Sequence, residues 1–194
     1  RERIARFQGL NSAPDWSPDG EHLTLTRSRD GQTDIYSLDV ESGETTRLTE
    51  HYGIDTEAVW GPDGEQIYFT SDRGGSPQIY RMNADGGDVE RVTFEGDYNA
   101  SPALSPDGEQ LAMVHREDGD YRIAVQAVEG GQFRVLSQGP QDESPTFAPN
   151  GAMVLYATRQ DGRGVLGTVS LFGEARNVMA TGEQELREPA WSPN

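Results

Sequence analysis

A short motif returns along this chain at nearly constant spacing. It first stands as Ala13-Pro14-Asp15-Trp16-Ser17-Pro18-Asp19-Gly20 and then as Ala58-Val59-Trp60-Gly61-Pro62-Asp63-Gly64 and Pro102-Ala103-Leu104-Ser105-Pro106-Asp107-Gly108. Pro145-Thr146-Phe147-Ala148-Pro149-Asn150-Gly151 and Pro189-Ala190-Trp191-Ser192-Pro193-Asn194 complete the series. The prolines at 18, 62, 106, 149 and 193 lie 44, 44, 43 and 44 residues apart. Each copy has the chemistry of a tight turn: Pro fixes φ, Ser and Asp bond nearby backbone, and Gly accepts the left-handed conformation that follows. The large apolar residue two positions before the proline ends the incoming strand and is expected to pack between neighbouring units.

Between copies the order of segments is constant. In the first repeat Leu23-Thr24-Leu25-Thr26, a turn at Asp30-Gly31, Asp34-Ile35-Tyr36-Ser37-Leu38, a turn at Ser42-Gly43 and Thr46-Arg47-Leu48-Thr49 follow the motif, and the later repeats keep this plan. Alternating strands joined by glycine turns predict four antiparallel strands and three hairpins per repeat. A four-stranded unit of about 44 residues is the size of a β-propeller blade, whereas a β-helix has a much shorter period and helical solenoids lack period-2 strands. The fold class expected is all-β: a β-propeller of four-stranded antiparallel blades, one domain over 1–194. Complete blades are expected at 12–49, 56–93, 100–137 and 143–179, with the last strand of a blade at 1–7 and the first strand of a closing blade at 187–194. Four complete blades and two partial ones do not close a ring, so the segment reads as part of a larger propeller.

Charge narrows the partners. Acidic residues number 33 against 16 basic ones, all of them arginine, for a formal charge of −17, which opposes a phosphate backbone and argues against nucleic acid. No apolar run approaches bilayer-spanning length, so membrane insertion is not expected. Cysteine is absent, which removes disulfides and thiolate metal sites.

The repeated Trp-Ser-Pro-Asp-Gly, the run Tyr68-Phe69-Thr70-Ser71-Asp72-Arg73-Gly74-Gly75-Ser76-Pro77-Gln78-Ile79-Tyr80, Asp142-Glu143-Ser144-Pro145-Thr146-Phe147-Ala148-Pro149-Asn150-Gly151 and the ending Glu188-Pro189-Ala190-Trp191-Ser192-Pro193 together resemble the TolB-like propeller family of Gram-negative bacteria. The resemblance runs the length of the chain. It implies a six-bladed propeller preceded by an α/β domain, with this chain starting at the last strand of the second blade. It also implies a periplasmic, non-enzymatic part of the Tol-Pal envelope system that binds the Pal lipoprotein at the mouth of its channel, a surface some colicins also use. A TolA contact belongs in such proteins to the N-terminal domain. Matching the family pattern selects as partner-binding Leu10, Asn11, Ser12 and Ala13; Asp55, Thr56 and Glu57; Asn99, Ala100 and Ser101; Asp142, Glu143 and Ser144; and Arg187 with Glu188.

Other chemistries are weighed against the same residues. Asp55, Glu57, Asp97, Asp142, Glu143 and Glu188 are of the type that holds a hard cation through oxygen, so calcium in the channel is the alternative to a solvated acidic rim and no cofactor. His22, His51 and His115 are the only histidines, and they read as surface or turn residues without a nucleophile beside them; no Gly-x-Ser-x-Gly elbow occurs. Arg73, Arg116 and Arg159 follow the second strand of three repeats, where exposed pairs with acids would contribute little. The functional alternatives are the gating propeller of a prolyl-oligopeptidase-type peptidase, its triad lying outside these residues, and a polyuronate-acting enzyme, which the scarcity of histidine disfavours.

Overall fold

The computed structural model describes residues 7, 11–172, 176–179, 186 and 188–191. Among them every regular element is a strand. These are β1 (Asn11–Trp16), β2 (His22–Arg29), β3 (Gln32–Asp39), β4 (Thr45–Arg47), β5 (Asp55–Trp60), β6 (Gln66–Ser71), β7 (Gln78–Asn83) and β8 (Glu90–Arg91). They continue as β9 (Asn99–Leu104), β10 (Gln110–Glu117), β11 (Asp120–Ala127), β12 (Arg134–Val135), β13 (Glu143–Phe147), β14 (Met153–Gln160), β15 (Arg163–Ser170) and β16 (Arg176–Met179). They form four antiparallel sheets, each made of four consecutive strands in chain order. The expected all-β architecture and the four repeats are therefore what the chain adopts. The strand expected at 1–7 lies outside the described residues but for Phe7; of the closing strand expected at 187–194, residues 188–191 are described and form no strand.

By contacts the chain divides into two compact units, Arg1–Phe94 and Glu95–Asn194, each holding two sheets. In the first unit Ile35 and Leu48 of one sheet pack with Ala58, Trp60, Ile67, Phe69, Tyr80 and Met82 of the next. In the second, Ala112, Val114, Ile123, Val125 and Leu136 pack with Phe147, Val154, Tyr156 and Val169. Trp60 and Phe147 are buried, as the motif's apolar position was expected to be, while Trp16 is 49% exposed.

The turns follow from their residues. Asp30-Gly31, Asp118-Gly119 and Asp161-Gly162 all have positive φ at both positions, the conformation that joins two strands by a two-residue hairpin, and the flanking pairs Arg29 with Gln32, Glu117 with Asp120 and Gln160 with Arg163 are in register. In the motif turn the Ser17 hydroxyl donates to Asp19 and accepts the His22 N–H at 2.9 Å, and the Gly20 N–H donates to the Ser17 carbonyl at 2.9 Å.

The outermost strands β4, β8 and β12 are shorter than the sequence leads one to expect. After β4 the buried Thr49 turns its hydroxyl to accept the Ile35 N–H at 3.0 Å, Thr93 does the same for Ile79 at 2.9 Å, and Ser137 for Ile123 at 2.7 Å. A side chain thus takes the backbone donor that a further ladder bond would have used, and the strand ends there.

Candidate functional site: the bulged starts of the inner strands

Each first strand of a sheet begins with a fault in its pairing. The register slips between Ser12 and Asp15 in β1, between Thr56 and Val59 in β5, between Ala100 and Ala103 in β9 and between Glu143 and Thr146 in β13. Inside each fault a non-glycine residue takes a left-handed backbone: Ala13 (φ 48), Glu57 (φ 56), Ser101 (φ 53) and Ser144 (φ 54), with Glu188 (φ 49) at the fifth corresponding place. Pro follows this residue in all but the second copy, and at a bulge its missing N–H costs no ladder bond. A left-handed L-residue costs roughly 1–2 kcal/mol, so the arrangement persists because the surroundings impose it.

What braces it is the residue at or just before the start of the strand, whose side chain turns into the protein in three of the four sheets. Asp55 is wholly buried and its carboxylate receives Arg73 Nη2 at 2.9 Å; Arg73 is itself mostly buried and also donates to the Ser71 hydroxyl. Asn99, also buried, sets its Oδ1 2.9 Å from His115 Nδ1 and donates from Nδ2 to the Glu95 carbonyl at 2.8 Å. The buried Asp142 accepts the Thr158 hydroxyl and the Gly139 N–H, the latter at 3.0 Å. Asn11 is exposed but repeats the device, donating to the Phe7 carbonyl at 3.3 Å.

These positions sort the expected partner-binding residues into two groups. Asp55, Asn99, Ala100 and Asp142 have almost no surface and brace the bulge from within. Asn11, Ser12, Glu143 and Glu188 are exposed, and Ala13, Thr56, Glu57, Ser101 and Ser144 are half-buried with surface available for contact. Leu10 and Arg187 lie outside the described residues. Within the first unit the start of β5 is tied to β2, since the Glu57 N–H donates to the Thr26 hydroxyl at 3.1 Å. Glu57 accepts the Thr70 hydroxyl at 3.0 Å, which fixes its carboxylate beside the bulge.

Two expectations change. His115, read as a surface histidine, is buried edge-on against Phe133, with ring centroids 4.8 Å apart. Burial holds its imidazole below the usual histidine range, against the opposing pull of Glu117, Asp97 and Glu95. Arg73 forms a buried pair rather than an exposed one, while Arg116 meets Asp97 at 3.0 Å in an exposed pair. Of the carboxylates considered for calcium, Asp55, Glu57, Asp97 and Asp142 each bond to partners of their own, and among the described residues no three His, Asp or Glu side chains are grouped to hold a metal ion. Sequence reasoning missed Ser71, His115 and Thr158 as braces, although each stands sixteen residues after the strand-opening residue it faces, as Arg27 does after Asn11.

Comparisons with known proteins bear on the whole chain. The family profile of the TolB β-propeller domain matches residues 1–194. The Tol-Pal system protein TolB of Ruthia magnifica subsp. Calyptogena magnifica is 52% identical over 191 residues, covering 98% of this chain and 45% of that protein. The crystal structure of TolB from Acinetobacter baumannii superposes with a TM-score of 0.94 at 47% identity, covering 100% of this chain and 49% of that one. This chain thus spans about half the length of the relatives it matches. Puromycin hydrolase, at 16% identity and a TM-score of 0.69 over 87% of this chain and 28% of its own, shares the fold alone.

Proposed function

The chain belongs to the TolB β-propeller domain family, and from that premise we propose that it serves as a non-enzymatic, periplasmic protein-binding scaffold of the Tol-Pal system, receiving the Pal lipoprotein on the bulged starts of its inner strands. The observation that carries this reading is the repeated left-handed residue at 13, 57, 101, 144 and 188. Strain kept at the same place in five copies gives each copy a rigid bulge, and the contact side chain varies from copy to copy, as Ala, Glu, Ser, Ser and Glu. A fixed backbone with variable side chains suits recognition of a protein surface, because little ordering remains to be done on binding. Colicins that bind this surface would compete with Pal for it.

The test is calorimetry of a complete version of this propeller with the soluble domain of its cognate Pal. Saturable binding is expected, with Thr56→Trp and Ala13→Trp weakening it while the melting temperature stays near that of the parent. Absence of binding by the parent would overturn the proposal. Unchanged affinity in both variants would remove these two bulges from the contact.

A further inference from the structure

We propose that the loop ahead of β5 is a pre-formed anchor, in which Tyr52 and Ile54 insert together into an apolar pocket, ringed by basic side chains, on the protein partner. The inference rests on the reading of this end as the partner-binding face and adds the source of its affinity.

Tyr52 is 80% exposed and Ile54 54% exposed, although the loop that carries them is tightly held. The Gly53 N–H donates to His51 Nδ1 at 3.1 Å and the Ile54 N–H to Asp72 Oδ1 at 2.7 Å. The Tyr52 hydroxyl donates to the Arg73 carbonyl at 3.3 Å, and its ring lies 4.0 Å from that of His51. Gly53 sits so close to residues 72 and 73 that a Cβ there would come within 2.7 Å of Asp72 Oδ1 and 3.0 Å of the Arg73 backbone. Arg73 in turn pairs with buried Asp55 and lies over the rings of Phe69 and Tyr80. The loop is therefore braced to the core while its two apolar side chains point into water.

The blade does not need them there. At the same place in the repeat as Tyr52 stand Gly96 and Gly139. At the place of Ile54 stands Tyr98, which is half-buried against Tyr121 at 5.4 Å. A tyrosine whose hydroxyl is already bonded and whose ring is held out on a fixed loop has the form of an interface hot spot, since the entropy of ordering it is spent before the partner arrives.

Charge selects the occupant. With a formal charge of −17, an anionic lipid surface, a nucleic acid and a second copy of this chain are all repelled. A protein with an apolar pocket and a basic rim is not.

The experiment uses the complete propeller, the soluble domain of the cognate Pal, and the variants Tyr52→Ala, Ile54→Ala and the double substitution, read by calorimetry at two salt concentrations and by melting temperature. Each single variant is expected to weaken binding by about tenfold or more. Their melting temperatures should stay within about 2 °C of the parent, as for exposed positions. Added salt should weaken binding by the parent. If the parent binds and the double variant binds within about twofold of it, the anchor is refuted while the Pal reading stands. If the parent binds no Pal, the reading falls and the anchor with it. If the parent self-associates on size exclusion and the double variant does not, the occupant is a second copy and the basic-rimmed partner is wrong.

Discussion

The carboxylate of Asp15 accepts the backbone N–H of Trp60 at 2.8 Å, joining the first sheet to the second across 45 residues of sequence. Burial pushes the Asp15 carboxyl above the usual carboxylate range, and the N–H groups of Trp60 and Trp16 only partly offset it. Because the folded value lies above the unfolded one, the contribution of this group is fully present below the unfolded value of about 3.9 and is lost as pH rises through the folded value. Asp15→Asn keeps an oxygen acceptor and removes the charge. It should raise the melting temperature at pH 7 by on the order of 2 °C relative to the parent, with the difference vanishing toward pH 3.5. A lower melting temperature for the variant at pH 7 would show that the charge itself strengthens the bond.

Arg73 stands just after β6 and Arg116 at the end of β10, yet their burial differs and so should their substitutions. Arg73→Met leaves the wholly buried Asp55 without its cation, and such breaks cost about 3–5 kcal/mol. Adding Asp55→Asn should recover more than half of that loss. Arg116→Met separates an exposed pair and should leave the urea midpoint where it was. Equal losses for both arginines would refute the distinction.

The bulges make a paired prediction at Ser144, whose φ is 54°. Ser144→Gly should keep stability or raise it by up to ~1 kcal/mol, because glycine takes this conformation without strain. Ser144→Val should lower it by at least ~1 kcal/mol, since a β-branched residue fits the left-handed region worst. Denaturant melts of both variants decide it, and equal effects would mean that the backbone relaxes out of the bulge.

His115 should give a pH signature of opposite sign to that of Asp15. Its folded value lies below the unfolded value of about 6.5, so the stability it contributes is complete above that value and is lost as pH falls toward the folded one. Comparing the parent with His115→Gln between pH 5 and 8 (~ranges where histidine titrates) should show the parent alone losing stability across that interval. Parallel profiles would mean that the ring escapes its burial when protonated.

Much of this architecture could be read from the residues because its signals are local. The Ser-Pro-Asp-Gly and Asp-Gly turns carry their conformation in their own side chains, and Ile67, Phe69, Ile79 and Tyr80 mark buried strands by type alone. The short outer strands were not legible, since Thr49, Thr93 and Ser137 sit in runs that look like strand and act through a hydroxyl directed fourteen residues back. Polar Asp55, Asn99 and Asp142 read as surface for the same reason that any acid or amide in a loop does. Only the three-dimensional bulge turns them inward onto Arg73, His115 and Thr158.

The hydroxyl that ends β4, β8 and β12 also limits what these sheets offer to other molecules. β4, β8 and β12 are 3, 2 and 2 residues long, so each rim presents only a few free backbone donors and acceptors before the chain turns away. An incoming extended chain needs a longer row of such groups to pair with, and an edge this short gives it little to template on. In these three repeats a single buried threonine or serine thereby guards a strand-rich protein against edge-to-edge aggregation. Lengthening the rim by replacing that residue with valine would be the simplest way to lose the protection.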